Sequence, residues 1–341
     1  MSGKERLGQA RVWSGLMFGA RKTRLLIIKA DSLAGFVAAE PVFQQIRHSF
    51  QDAEISLLTT PDLLRLAKAA PYFDQVAALP DFGNPEERKS FTTQLKAAKF
   101  TRVLDLSGPE TSRKVASAFG PLGPKWFSVS QPSARSRKRT IDDLYPDTEK
   151  LCAANGVALP ERLPDLSWAL GARKDSANMQ PSWFGISGPF GILAPGLDEK
   201  KRWPGEAYGQ FARISSEAGV MPVLIGPREL HVFGDIVSEV APTIVDLTGK
   251  TDHLQLVALA KEASFFVSDC ADEVNLAVSV GAAGVLIKKQ GEEALAPSGR
   301  NVMAVTVKRS LSEAAAPYVW QCLNNMGVVP REEGLLHANS Y

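Results

Sequence analysis

Short apolar runs recur along this chain, each separated from the next by enough residues for a helix. "LLII" (25–28), "AEISLLTT" (53–60), "QVAALP" (75–80) and "RVLDLSG" (102–108) are four such runs. Helical patterns lie over Phe36–Phe50, Pro61–Ala70, Gln94–Lys99 and Glu110–Phe119. Strands joined by long crossovers pair in parallel, because only antiparallel neighbours can be closed by a tight hairpin. Leu25–Ile28 is apolar at every position, which suits a strand covered on both faces. The alternation therefore predicts βαβ units on a parallel sheet.

The rhythm breaks at residues 121–140, "PLGPKWFSVSQPSARSRKRT", where Pro, Gly, Ser and basic residues replace it. A helical stretch is expected near 141–155, with Asp142-Asp143 at its start. A polar, Pro-containing region follows, and the alternation then resumes with strands at 191–196, 221–226, 243–249, 264–269 and 283–288. Helices are expected over Pro204–Ala218, Leu230–Val240, His253–Lys261, Val274–Val280 and Ser310–Met326. The implied division is a first α/β lobe over 1–165, a connection over 166–190, a second lobe over 191–310, and a C-terminal helix and tail over 311–341. A chain of 341 residues suits two such lobes rather than one core. In open parallel sheets, ligands bind beyond the carboxyl ends of the strands. The turns after Ile28, Gly108, Pro195, Gly226, Gly249 and Asp269 are thus the places to look for chemistry.

Composition narrows the classes of function. A net charge of +2 argues against a bulk nucleic-acid binder, although local basic patches remain compatible with it. Cys152, Cys270 and Cys322 are odd in number and far apart, which reads as reduced thiols in a cytoplasmic protein. The four histidines have no metal-ligand spacing, and no stretch approaches the apolar length that crosses a bilayer. Trp13–Ala20, between Arg11 and Arg21, makes a poor signal peptide and reads as a frayed terminus or a membrane-touching turn.

Five segments together resemble glycosyltransferase family 9, the family of the ADP-heptose:lipopolysaccharide heptosyltransferases. They are "LLIIKADSLAGFVAAEPVFQQIRHSFQDAEISLLTTP", "FTRVLDLSGPETSRKVASAFG", "ILAPGLDEKKRWPGEAYGQFARISSEAGVMPVLIGP", "IVDLTGKTDHLQLVALAKEASFFVSD" and "NLAVSVG". The resemblance runs from about Arg24 to about Lys288. It implies an α/β GT-B fold, two Rossmann-like domains whose parallel sheets face an interdomain cleft. The acceptor would lie in the first half and a nucleotide-sugar in the second, with no cofactor and no catalytic metal.

"KKRWP" resembles the family's Lys-x-Trp-Pro element and nominates Lys201 for the donor diphosphate. A lysine at a strand-to-helix turn adds a point charge where helix amides already favour phosphate oxygens. Solvated lysines ahead of a helix begun by Pro204 are the plainer alternative. "IGPREL" nominates Glu229 for the nucleoside, since a carboxylate accepts from two ribose hydroxyls; a surface helix cap is the alternative. Thr248 and Gly249 close the next strand and are assigned to the donor with Asp269. On the acceptor side stand Ser32, in the first turn, and the basic group Lys125, Arg135, Arg137, Lys138 and Arg139. Clustered cations suit phosphates and anionic headgroups, and a solvated loop is the alternative. Trp126-Phe127 beside them reads as core or as a lipid contact.

Two departures stand against ordinary family chemistry. The family's first turn typically reads Ser-x-Gly-Asp, its Asp being the proposed base, and here Gly35 stands at that Asp. Asp31 and Glu40 are the nearest carboxylates, and Asp31 is the candidate substitute. At "SDCADEVNLA" (268–277) the family usually has Asp-Ser/Thr-Gly-Pro-x-His-Leu-Ala. Here Cys270 stands at the Asp, Asp272-Glu273 at the Gly-Pro and Asn275 at the His, while Asp269 supplies the Asp only with a one-residue shift. Two acids can cap a helix, but they repel a diphosphate.

Two functions follow. One is sugar transfer, heptose-like, from an ADP-heptose-like nucleotide diphosphate to an anionic envelope glycolipid such as lipopolysaccharide core, in the cytoplasm with peripheral contact at the inner membrane. The other is a catalytically degenerate relative that binds or scaffolds in envelope assembly. A weaker third is another sugar-nucleotide or glycan chemistry that uses Asp31 or Asp269.

Overall fold

A computed structural model describes residues 23–119, 123–129, 143–144, 146–159, 161–172, 176–269, 271–291 and 301–329. In chain order, the first elements are β1 (Arg24–Ile28), α1 (Leu33–Ala38), α2 (Glu40–Ser49), β2 (Glu54–Thr59), α3 (Leu64–Ala69) and β3 (Gln75–Ala78). Next come α4 (Pro85–Ala97), β4 (Arg102–Asp105), α5 (Pro109–Phe119), β5 (Lys125–Ser128), β6 (Asp143–Leu144), α6 (Thr148–Ala154) and α7 (Ser167–Gly171). The rest are β7 (Phe190–Ala194), α8 (Gly205–Glu217), β8 (Met221–Leu224), α9 (His231–Val240), β9 (Val245–Asp246) and α10 (His253–Glu262). The chain closes with β10 (Phe265–Ser268), α11 (Val274–Ser279), β11 (Gly284–Lys289), β12 (Val302–Val307) and α12 (Ala316–Met326).

The chain divides into two compact units. One comprises Met1–Asp31 and Ala39–Arg162, and the other comprises Ser32–Ala38 and Leu163–Tyr341. Among the described residues each unit carries a parallel sheet, in the order β3-β2-β1-β4-β5-β6 and β12-β11-β10-β7-β8-β9. Counted within its own unit, each order is 3-2-1-4-5-6, the doubly wound dinucleotide-type arrangement. The strand order reverses between β1 and β4 in the first sheet, and between β7 and β10 in the second.

Burial explains the apolar runs. Leu25–Ile28 and Phe265–Val267 are fully buried. In the second sheet, the two phenylalanines of β10 lie opposite glycines, Phe265 beside Gly191 of β7 and Phe266 beside Gly284 of β11. A Cβ on either glycine would overlap the facing ring. These strands therefore need a residue without a side chain beside an aromatic one. Trp203, Tyr208 and Phe211 fill the core on the α8 side, with the Trp203 and Tyr208 rings edge to face and their centroids 4.9 Å apart. Trp126 and Phe127 are buried in the first unit and so form core rather than a lipid contact.

Several local expectations are corrected. The helix read over Phe36–Phe50 is two helices broken at Ala39, because Pro41 lies in the first turn of α2 and has no N–H to continue α1. The helix read at Gln94–Lys99 begins at Pro85, where the Asn84 side chain accepts from the Glu86 amide at 3.0 Å. Asp143 is not a helix start but pairs with Phe127 in β6; α6 begins at Thr148, capped by Asp147 accepting from the Lys150 amide at 2.8 Å. Asp142 lies outside the described residues. Pro204 precedes α8 rather than opening it, at ψ 146°. The edge strand β12 is not among the expected strands, although its sequence, VMAVTV, is apolar over Val302–Val305. Among the described residues no helix is long and apolar enough to cross a membrane, and no group of three His, Cys, Asp or Glu could hold a metal ion.

Glu40 is 1% exposed and is held from two sides. The Tyr72 hydroxyl donates to Oε1, and Arg162 Nη2 lies 2.8 Å from each carboxylate oxygen. Removing one partner of a buried pair strands the other charge. Arg162→Ala is therefore expected to lower stability by about 2 kcal/mol, below the usual range because Arg162 is partly exposed. Adding Glu40→Gln should recover part of that loss; a urea midpoint equal to wild type for Arg162→Ala would refute the role.

Candidate nucleotide-binding site

The order reversal in the second sheet places two turns side by side, one after β7 and one after β10. The first runs Pro195 to Pro204 and contains a short 3-10 turn at Glu199–Lys201. Asp198 starts that turn, its carboxylate accepting from the Lys200 amide at 3.0 Å and its carbonyl from the Lys201 amide at 2.9 Å. Lys201 is exposed on this loop. Arg202 is not, for its guanidinium lies 4.2 Å over the Phe233 ring and donates to the Gly196 carbonyl at 3.3 Å. Trp203 anchors the far end, its indole N–H donating to the Ala314 carbonyl at 2.9 Å.

The turn after β10 supplies Asp269, which is 5% exposed. Its two carboxylate oxygens accept from the Gly196 amide and, at 2.6 Å, from the Trp203 amide. Burial pushes its carboxyl up to about 6 against the opposing pull of those two bonds, the Tyr208 hydroxyl and Arg202. Asp269 thus meets loop backbone through both oxygens. Ser268 completes the joint, its hydroxyl donating to the Ala194 carbonyl at 2.7 Å and accepting from the Ala271 amide at 3.1 Å.

The remaining donor nominees sit nearer β8 and β9. Glu229 is exposed in the 3-10 turn Arg228–Leu230. Thr248 is buried, its hydroxyl 2.8 Å from Asp246 Oδ1 and 3.1 Å from His231 Nδ1. Gly249 has φ +67°, and a Cβ there would meet the Arg228 backbone at 3.0 Å, so glycine is needed on both counts. Its amide donates to the Gly226 carbonyl at 2.8 Å. At α11, Asp272 is exposed, and Glu273 occupies the cap position without making a capping bond, contrary to the expectation of two capping acids. Burial raises the Glu273 carboxyl, and Asp272 adds to the rise. Asn275 donates its amide to the Asp272 carbonyl at 2.9 Å. Cys270 lies outside the described residues.

In the first unit, Asp31 Oδ2 accepts from the Lys29 ammonium at 2.7 Å. Ser32 caps α1, its hydroxyl accepting from the Gly35 amide at 3.2 Å. Ser32–Ala38 groups with the second unit, where α1 packs on α11. Lys125 opens β5 and so lies at the amino edge of its sheet, its ammonium 4.8 Å from the Phe127 ring. The structure does not bring it to the strand ends where Asp31 sits. Arg135, Arg137, Lys138 and Arg139 lie outside the described residues.

Sequence reading missed the polar joint of the first sheet. Ser107 follows β4, and its hydroxyl accepts from the Ala30 amide after β1 at 2.9 Å. Asp105, fully buried, accepts from the Ser107 amide at 3.1 Å and the Ser128 hydroxyl at 3.3 Å. The available signal was a carboxylate ending an otherwise apolar strand.

The sequence profile of glycosyltransferase family 9 (heptosyltransferase) matches residues 88–272. The chain belongs to that family. The α/β GT-B fold is shared with E. coli ADP-heptose lipopolysaccharide heptosyltransferase II, at TM-score 0.73 and 16% identity over 89% of this chain and 98% of that one. It is shared too with a family 9 glycosyl transferase from Veillonella parvula DSM 2008, at TM-score 0.72 and 14% identity over 89% and 97%. E. coli heptosyltransferase WaaC with ADP gives TM-score 0.67 and 15% identity over 90% and 99%. No curated protein sequence matches the chain.

In this family 9 member the joint of the first sheet titrates. Burial pushes Asp105 up to about 6, against hydrogen bonds from Ser112, the Ser107 amide and Ser128. Its folded pKa thus lies above the unfolded value, so stability is full below about pH 4 and is lost as pH rises through 6. Asp105→Asn removes this term. Its unfolding free energy relative to wild type is expected to improve by about 2–3 kcal/mol between pH 4 and 7. Urea titrations of both proteins across that range check it, and a flat difference would refute it.

Proposed function

We propose that this family 9 protein transfers a heptose-like sugar from an ADP-heptose-like nucleotide diphosphate to an anionic envelope glycolipid such as lipopolysaccharide core. One observation carries the reading: Lys201 stands exposed on the loop at the order reversal of the second sheet, where doubly wound folds take phosphates. WaaC, similar in fold, has been solved with ADP and with ADP-2-deoxy-2-fluoro heptose. Glu229, Thr248 and Gly249 are the proposed nucleoside contacts. Arg135, Arg137, Lys138 and Arg139 are proposed to meet acceptor phosphates, with peripheral contact at the cytoplasmic face of the inner membrane.

In transfer, an acceptor hydroxyl oxygen bonds to the anomeric carbon while the bond from that carbon to the diphosphate breaks. The leaving diphosphate takes the electron pair, and Lys201 stabilises its charge. The hydroxyl proton needs an acceptor. Gly35 has none and Glu40 is locked by Arg162 and Tyr72, which leaves Asp31 beside Lys29. Those same observations favour a second reading, a protein that binds nucleotide-sugar or glycolipid without transferring.

Titration calorimetry with ADP, UDP and GDP tests the donor. ADP is expected to bind, and Lys201→Ala to weaken it about 10- to 100-fold, the range for losing a charge-assisted hydrogen bond. Unchanged affinity would remove Lys201 from the site. ADP release from ADP-heptose in the presence of heptose-deficient lipopolysaccharide separates the two readings, since a non-transferring protein binds but releases nothing. If Asp31 takes the proton, Asp31→Asn should abolish that release and leave ADP affinity intact; retained turnover would exclude Asp31.

A further inference from the structure

A single carboxylate spans the base of the Lys201 loop. Asp269 lies across the order reversal from β7, and its oxygens accept from Gly196 at the near end of the loop and Trp203 at the far end. The fit is close, since a Cβ on Gly196 would meet Asp269 Oδ1 at 3.0 Å. Between those two amides, Asp198 holds the turn that carries Lys201, its carboxylate accepting from the Lys200 amide and its carbonyl from the Lys201 amide.

We propose that Asp269 is a positioning residue for the donor: by tying Gly196 to Trp203 it holds the loop in the shape that presents Lys201 to a nucleoside diphosphate. The inference rests on the donor reading given above, and it assigns Asp269 a role through the loop rather than a direct contact with sugar or nucleotide. The chemistry requires the ionised form. A carboxylate accepts on both oxygens, whereas an amide or a neutral acid offers one good acceptor and one group that donates. With Asn at this position, one of the two amides is left without its acceptor in a buried place. Arg202 and the Tyr208 hydroxyl are the charged and titratable groups that face the carboxylate among the described residues, and Glu199 lies 3.9 Å from Arg202.

The experiment is ADP calorimetry on the full chain, comparing wild type, Asp269→Asn, Lys201→Ala and the double variant at pH 7.5. Asp269→Asn is expected to weaken ADP at least tenfold, and the double variant to bind no more weakly than Lys201→Ala alone, since both changes act through one ammonium. The ratio of wild-type to Asp269→Asn affinity should also shrink towards one below about pH 6, where burial has already neutralised the wild-type carboxyl. ADP's own titration cancels in that ratio, and a loss of general structure would not produce this profile. Undiminished affinity in Asp269→Asn, full additivity with Lys201→Ala, or a ratio independent of pH from 5 to 8 would each overturn the proposal. If Asp269→Asn does not fold, Gly196→Ala decides, because its Cβ displaces the near end of the loop while keeping the carboxylate. A loss of fivefold or more supports the tie, and unchanged affinity overturns it. A wild-type chain that binds none of ADP, UDP or GDP instead sinks the donor reading.

Discussion

In both sheets, a residue that follows the fourth strand of its unit holds a backbone amide that follows the first. In the first unit this is the Ser107 hydroxyl on Ala30, backed by Asp105; in the second it is the Asp269 carboxylate on Gly196 and Trp203. The constraint behind both is shared. Where strand order reverses, the two adjacent chains leave in opposite directions, and their first free amides have no ladder partner. Buried amides need an acceptor, and a short polar side chain from the neighbouring turn provides one. The loops that carry any chemistry are built outward from these joints.

The joints differ in strength. A serine hydroxyl holds one amide neutrally, whereas a carboxylate holds two with charge assistance. The longer loop, Gly196–Trp203, receives the stronger tie. Burying that carboxylate has an energetic cost, as the upward displacement of Asp269 shows, and the hydrogen bonds and the nearby Arg202 offset only part of it. Such a tie limits the shapes the loop can take, which matters for a side chain as flexible as lysine.

The two departures from the family pattern now have different standings. At Gly35 the loss of a side chain is plain, and the neighbouring carboxylates are already engaged: Glu40 by Arg162 and Tyr72, Asp31 by Lys29. At the second position an acid is retained one residue early, as Asp269, and is used to fasten backbone. The acids that follow, Asp272 and Glu273, make no side-chain cap for α11. The acid of this turn faces the loop backbone at Gly196 and Trp203.

Strand runs such as Leu25–Ile28 and Phe265–Val267 declared a parallel α/β chain by themselves, since residues buried on both faces must be apolar throughout and long crossovers forbid hairpins. The same text also displayed the family's segments and the missing acid at Gly35. Joints were not legible, nor was every edge. β12 is apolar over Val302–Val305 and was legible; β6, by contrast, is too short for any period, and Asp143 reads locally like a helix cap. Nor could the order of residues say that Asp269 would meet Gly196 and Trp203, 73 and 66 positions away. That meeting exists because β10 lies beside β7, and strand adjacency is decided by how the whole sheet buries its faces rather than by any one segment.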